Sequence, residues 1–297
     1  MSAADAEAAA DALVARVQAR PGAVLVLGGI DSGKTTLATR LLGALVDAGL
    51  VPAYIDTDVG QSTTGPPATV GWRRVVSRAD LTDLFEADGL YFVGDVTPAT
   101  RLLATLTGAA RALEASRAVS GAAVIDTSGF VSGVTAQTLK FHKIEILRPD
   151  HVVALQRGEE LEPLLAAVRR FGSIETTRVQ IHPGVVSKTA EQRAERRSRL
   201  LRRYFAPPLT RYRVRAAAFM PTLPPTLDAS RLHGLLAGLD DEQGNCIGIG
   251  VVEHREAGLR LAARTGVIPS ALRLGAVAVD DDWTTRSIDL RSLLGSG

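Results

Sequence analysis

Cysteine is almost missing from this sequence. Cys246 is the only one in 297 residues, which excludes an intramolecular disulfide and suits a reducing compartment. No run of about 18 uncharged apolar residues occurs, so no membrane-spanning helix and no membrane partner are expected. The N-terminal stretch is rich in alanine and acidic residues and has no basic start, which is not a secretory pattern. It reads as an amphipathic helix within residues 1–21, and the chain is expected to be cytoplasmic. Aromatic residues make up only 4% of the chain, so its core must be built from Ala, Val and Leu. A charge excess is lacking too: the net charge is +2, and no global field announces a nucleic-acid partner. Lysine is scarce. It stands only at Lys34, Lys140, Lys143 and Lys188, and the other thirty of the 34 basic residues are arginine.

What is present is a globular composition, 46% hydrophobic and 22% charged, in a chain long enough for one large α/β domain with an appendage. From Ala23 onward, short apolar runs alternate with helical periods. AVLVLG at residues 23–28, VPAYIDTD at 51–58, YFVGD at 91–95, AAVIDTSG at 122–129, HVVALQ at 151–156 and a run near 177–181 read as strands. Helices are expected from about Gly33 to Ala48, Pro98 to Ala118, after Gly129, and up to about Phe171. Residues 60–71 are rich in Gly, Pro and Thr and read as irregular. Strands separated by helices imply βαβ units in a mainly parallel sheet with helices on both faces. Ligands of such sheets sit at the carboxyl ends of the strands. After Pro221–Pro225 the pattern turns to Gly-rich short strands, 246–254 and 272–281, so a small β-rich C-terminal module over 210–297 is expected to follow a nucleotide-binding domain over 22–209.

Gly28 to Thr36, GGIDSGKTT, satisfies the GxxxxGKT pattern directly after a strand and at the start of a helix. This is the context that marks a phosphate-binding loop and a P-loop NTPase fold. Backbone N–H groups from Gly29, Ile30, Asp31, Ser32, Gly33, Lys34, Thr35 and Thr36 can point at phosphate oxygens, helped by the helix N-terminus. Lys34 is positioned to reach the β- and γ-phosphates of ATP or another NTP, and the Thr35 hydroxyl to meet Mg²⁺.

Two carboxylate groups end neighbouring strands. Asp56 and Asp58, two residues apart, would share a strand face. One is then expected beside the Mg²⁺ at Thr35, and the other free to take a proton from a substrate hydroxyl. Asp126 in Asp126-Thr127-Ser128-Gly129 ends an apolar strand, as a Walker-B residue does, and is expected to hold Mg²⁺ directly or through water; the same turn also matches the DxxG of GTPases. Further on, Gln192 to Phe205 reads as an arginine-rich helix stopped by Pro207. Ala194, Leu200, Leu201, Tyr204 and Phe205 form its apolar face; Arg199, Arg202 and Arg203 project away from it. Arg193 and Arg197 lie on the inward stripe. There a guanidinium must snorkel or meet an anion, and a lid over a γ-phosphate is the sharper reading.

Taken together, these motifs resemble the polynucleotide 5′-hydroxyl kinase family that includes the RNA-processing kinases of tRNA, mRNA and rRNA maturation. The P-loop is followed in the family's order by DTDVGQ (56–61), Pro66–Pro67, YFVGDVTP (91–98), DTSGFVSG (126–133) and the arginine helix ending in Tyr204-Phe205. The resemblance implies a kinase that moves the γ-phosphate of ATP or another NTP, with Mg²⁺, onto the 5′-hydroxyl of a nucleic acid, RNA favoured. It implies Asp58 as general base, Arg193 and Arg197 as lid arginines, and Gln61, Thr97 and Phe130 at the substrate strand. Phe130 replaces the family's tryptophan but still offers a π-face for base stacking. About 22 residues precede the first strand, so the family's N-terminal β domain is expected to be missing or shrunken. Two other readings stay open: an ATP-dependent scaffold without turnover, and a GTPase-type regulator. The second calls for a guanine motif of NKxD type, for which Val185-Val186-Ser187-Lys188 is a poor stand-in.

Overall fold

A computed structural model describes residues 3–170, 174–181, 184–206, 208–215, 218–256, 258–264, 266 and 268–295. The apolar runs are strands and the periodic stretches helices, in the order α1 (Ala3–Ala19), β1 (Ala23–Gly28), α2 (Lys34–Asp47), β2 (Ala53–Thr57), β3 (Thr69–Arg74), β4 (Gly89–Phe92), α3 (Leu102–Arg117), β5 (Ala123–Thr127), α4 (Val134–Leu147), β6 (His151–Gln156), α5 (Glu162–Arg169), β7 (Glu175–Gln180) and α6 (Ala190–Tyr204). The remainder is β8 (Thr210–Arg213), β9 (Phe219–Met220), β10 (Leu235–Asp240), β11 (Cys246–Arg255), β12 (Gly258–Ala263), β13 (Ala271–Val279), β14 (Thr285–Ser287) and α7 (Leu290–Leu294).

One sheet runs β14-β13-β10-β11-β4-β3-β2-β5-β1-β6-β7. Its five strands from β2 to β7 are parallel, with β1 between β5 and β6. Every residue of β1 is buried, and alternate side chains go to opposite faces. Leu25 and Leu27 pack with Ala112 and Leu113 of α3, Ile144 of α4 and Leu165 of α5. Val24 and Val26 pack with Leu37, Leu41 and Leu45 of α2 and with Leu13 and Val17 of α1. Helices on both faces explain why these strands read as continuous apolar runs and not as alternating ones.

Two expectations are corrected. The stretch thought irregular up to Gly71 contains the start of β3, antiparallel to β2 with Ile55 opposite Trp72. Its buried Thr69, Val70 and Gly71 hid a strand behind turn-like composition. The helix expected from Pro98 opens with a separate 3₁₀ turn, Pro98–Thr100, before α3 begins. Phe171 and Pro207, thought to bound two helices, lie outside the described residues.

Apart from β9, which pairs with β13 in parallel, the strands after residue 210 are antiparallel, and they join the sheet where Cys246 pairs with Leu90. They build their own cluster around Leu235, Leu239, Val252 and Leu272. They also seat α6: Leu201, Tyr204 and Phe205 are buried with Leu236, Ile249 and Val277. The Tyr204 hydroxyl accepts the Ile249 N–H, and the Phe205 ring stacks on Trp283 at 4.9 Å. The arginine helix is thereby held at its C-terminal end, leaving its N-terminal half over the strand ends. Among the described residues, no helix is long and apolar enough to cross a membrane.

Leu13 of α1 is wholly inaccessible within the core shared by β1 and α2. Leu13→Ala should lower unfolding stability by about 2–5 kcal/mol, read from urea denaturation; a change near zero would mean that α1 is not integral to this core.

Candidate functional site

The turn after β1 is built by local backbone demands. Gly33 sits at φ 88°, in the left-handed region open to glycine, and α2 starts at the next residue. Opposite, the turn after β5 presses against the loop so closely that a Cβ on Gly129 would lie 2.6 Å from the Ile30 Cα. Lys34 is 7% exposed; its ammonium donates to the Gly29 carbonyl at 2.6 Å and lies 3.4 Å from Ser32 Oγ. Burial lowers its pKa, and the carboxylates of Asp126, Asp58 and Asp31 oppose that fall. The Thr35 hydroxyl donates to Asp126 Oδ2 at 2.6 Å, where Tyr54 also donates at 3.0 Å. Asp126 is buried, and its desolvation raises its pKa against those hydrogen bonds.

Above this floor is a cavity of about 700 Å³. Residues 30–36 of the P-loop line one wall; Asp58 and Gln61 line another; Phe130 contributes from the β5 turn; and Arg193, Arg196 and Arg197 cover it from α6. The Asp58 Oδ1 accepts the N–H groups of Gly60 and Gln61, each at 3.1 Å. Its other oxygen accepts no hydrogen bond among the described residues, which leaves a carboxylate lone pair available to the cavity.

Asp56 is placed otherwise than expected. It is 2% exposed, absent from the cavity wall, and on the strand proper, whereas Asp58 lies just past the strand's end. Its Oδ1 accepts the Asp58 N–H at 2.9 Å, and its Oδ2 accepts the N–H of Thr64 at 3.1 Å and that of Thr63. Both oxygens are therefore engaged in holding the loop 58–64 from within, and Asp56 is withdrawn from the metal-ligand candidates. Burial, reinforced by Asp126 and Asp58, pushes its pKa up to about 8 against the pull of those amides.

Thr97 is likewise corrected: it is exposed, its N–H donates to Asp95 Oδ1 at 3.0 Å, and the cavity takes Val96 and Pro98 instead. The segment turns at Asp95, whose other oxygen accepts the Thr100 hydroxyl at 2.6 Å.

The helix α6 engages both walls. Arg193 donates to Asp31 Oδ2 at 2.6 Å, and the Lys188 N–H reaches the same oxygen at 2.8 Å. Burial raises the Asp31 pKa, but these partners outweigh it and leave the carboxyl below its usual range. Arg197 is half-buried with its Nε 3.5 Å from Thr285 Oγ1, and burial lowers its pKa. Arg199, Arg202 and Arg203 are exposed, as the helical period predicts. Arg196 went unnoticed in the sequence, where nothing separates it from the solvated arginines around it. It donates to the Ser62 carbonyl at 3.0 Å, and its Nε is buried without a partner among the described residues. Together with the Gln61 amide, which donates to the Arg193 carbonyl at 3.1 Å, this contact binds the Asp58 loop to α6.

Residues 28–207 match the family model for the mRNA cleavage and polyadenylation factor CLP1 P-loop. A polyribonucleotide 5′-hydroxyl-kinase of Pyrococcus horikoshii is 32% identical over 186 residues, 63% of this chain and 50% of that one. One from Methanocaldococcus jannaschii is 32% identical over 188 residues, 63% of this chain and 51% of its own. A Rattus norvegicus polyribonucleotide 5′-hydroxyl-kinase Clp1 is 31% identical over 193 residues, 61% of this chain and 44% of its own. The chain thus spans about half the length of the curated relatives it matches. Among solved structures, a wild-type Clp1p–Pcf11p complex shares the fold, with a TM-score of 0.68 at 15% identity over 90% of this chain and 77% of that chain.

Asp56→Ala would strand three backbone N–H groups. It should cost upwards of about 2 kcal/mol in urea unfolding with neither nucleotide nor magnesium present. Undiminished stability there, with loss of magnesium dependence instead, would return Asp56 to the metal.

Proposed function

The chain belongs to the CLP1 P-loop family, and on that premise we propose that it transfers the γ-phosphate of ATP or another NTP to the 5′-hydroxyl of a nucleic acid, RNA favoured. The observation that carries this reading is the convergence on one cavity of the P-loop, a carboxylate with a free oxygen, and inward-facing guanidinium groups. The names of the relatives, which specify polyribonucleotide ends, support RNA as acceptor. A cytoplasmic setting, which the lone cysteine suits, belongs to the same reading.

The residues present fit Mg²⁺. Thr35 and Asp126 meet at the P-loop. That suits an ion which takes one or two protein ligands and completes its shell with phosphate oxygens and water. When bound, Mg²⁺ supplies positive charge that neutralises the β- and γ-oxygens.

The chain's own groups do the rest. Lys34 exchanges the Gly29 carbonyl for phosphate oxygens, and the P-loop N–H groups fix the β-phosphate. Asp58 accepts the proton of the 5′-hydroxyl as that oxygen bonds to the γ-phosphorus and the bond to the nucleoside diphosphate breaks. Arg193 and Arg197 stabilise the charge on the transferring group; for Arg193 this means trading Asp31 for phosphate. Gln61 orients the acceptor strand, and Phe130 offers a stacking face to its base.

Radiolabelled γ-phosphate should appear on 5′-hydroxyl oligonucleotides, and chelation of magnesium should stop it. Asp58→Asn should slow transfer by about 10²- to 10⁴-fold, and Lys34→Ala should abolish it. Folded protein that labels neither RNA nor DNA ends would refute this reading.

A further inference from the structure

All four lysines of the chain gather at one place. Lys34 and Lys188 line the cavity; Lys140 and Lys143, one turn apart on α4, lie beneath it and are wholly inaccessible. Arginine fills every other basic position. Whatever drives that bias acts along the whole chain, so ammonium groups kept at a single site call for a chemical reason.

The contacts supply one. The Lys143 ammonium donates to Thr57 Oγ1 at 2.7 Å, and the Thr57 hydroxyl donates to the Asp126 carbonyl at 2.8 Å. Thr57 is the residue between Asp56 and Asp58. One turn earlier on α4, Lys140 donates to the Ser128 carbonyl at 2.7 Å, under the turn that faces the P-loop. An ammonium carries three protons, yet among the described residues the hydrogen-bond partner of Lys143 is a single neutral hydroxyl. Burial lowers its pKa to about 8, and Asp58, Asp56 and Asp126 oppose that fall. A buried ion so thinly bonded is a poor way to hold a fold together, and an apolar side chain of similar length often does as well or better. Its worth lies elsewhere.

We propose that Lys143 is a positioning residue for phosphoryl transfer: its hydrogen bond to Thr57 Oγ1 fixes the end of β2 between Asp56 and Asp58, so that Asp56 holds the loop 58–64 and Asp58 is presented to the cavity. The proposal rests on the kinase reading for its catalytic consequence, but not for its structural one. Lys143 is not among the residues that line the cavity, so nucleotide affinity is spared while the acceptor-activating side is displaced.

Lys143→Met, with Lys143→Gln as a second variant should the first fail to fold, is compared with the wild type. Expected are a thermal midpoint at or above that of the wild type, ATP affinity within about threefold, and kcat lower by about 100-fold. Amide exchange at Thr63 and Thr64, whose N–H groups Asp56 holds, should quicken by about tenfold. Unchanged kcat in an active background overturns the proposal, as does a lowered midpoint that takes ATP affinity down with it. If the wild type transfers no phosphoryl group, the kinase reading fails on its own account. Exchange at Thr63 and Thr64 then decides the positioning role: unaltered protection overturns it, and faster exchange sustains it.

Discussion

A carboxylate taken out of water must be repaid with hydrogen bonds or with positive charge, and the architecture around β2 and β5 follows from that requirement. Asp56 and Asp126 are each 2% exposed at the ends of adjacent parallel strands. Asp56 is satisfied by the amides of its own following loop, and Asp126 by the Thr35 and Tyr54 hydroxyls. Lys34, Lys140 and Lys143, all buried, complete a layer of buried polar groups beneath the cavity. Such a layer is worth little as a source of stability. It does give each polar group a single position, which the proposed phosphoryl transfer would need.

The same layer links parts of the chain far apart in sequence. The Asp58 loop is held from inside by Asp56 and from outside by α6, through Gln61 and Arg196. The helix in turn rests on the C-terminal strands through Leu201, Tyr204 and Phe205. A region that reads as an appendage thereby acts as the seat of the arginine helix. The helix's free end meets the P-loop at Asp31, which holds the guanidinium of Arg193 against that loop.

Much of the fold could be read from the chain's local patterns. Four of the five parallel strands, β1, β2, β5 and β6, stand where apolar runs put them, because both faces of the sheet are covered there and burial writes itself into composition. The strand β3 escaped notice: its Thr, Val and Gly residues resemble a turn, and its antiparallel partner comes from pairing that no local pattern reports. For the site, the P-loop, Asp58 and the inward pair Arg193 and Arg197 could be picked out. Thr97 could not be dismissed, since only the fold shows that Val96 and Pro98 take its place.

By itself, then, the sequence determined what depends on neighbours along the chain: the strand–turn–helix that cradles phosphate, and the helical phase that separates the inward from the outward arginines. Tertiary structure alone decided which of two aspartates looks into the cavity, that Arg196 joins its neighbours there, and that α4 brings two lysines beneath the strand ends. The division has one cause. Backbone conformation is set largely by adjacent residues, whereas the cost of burying a charge, and the partner that offsets it, are set by groups that only folding brings near.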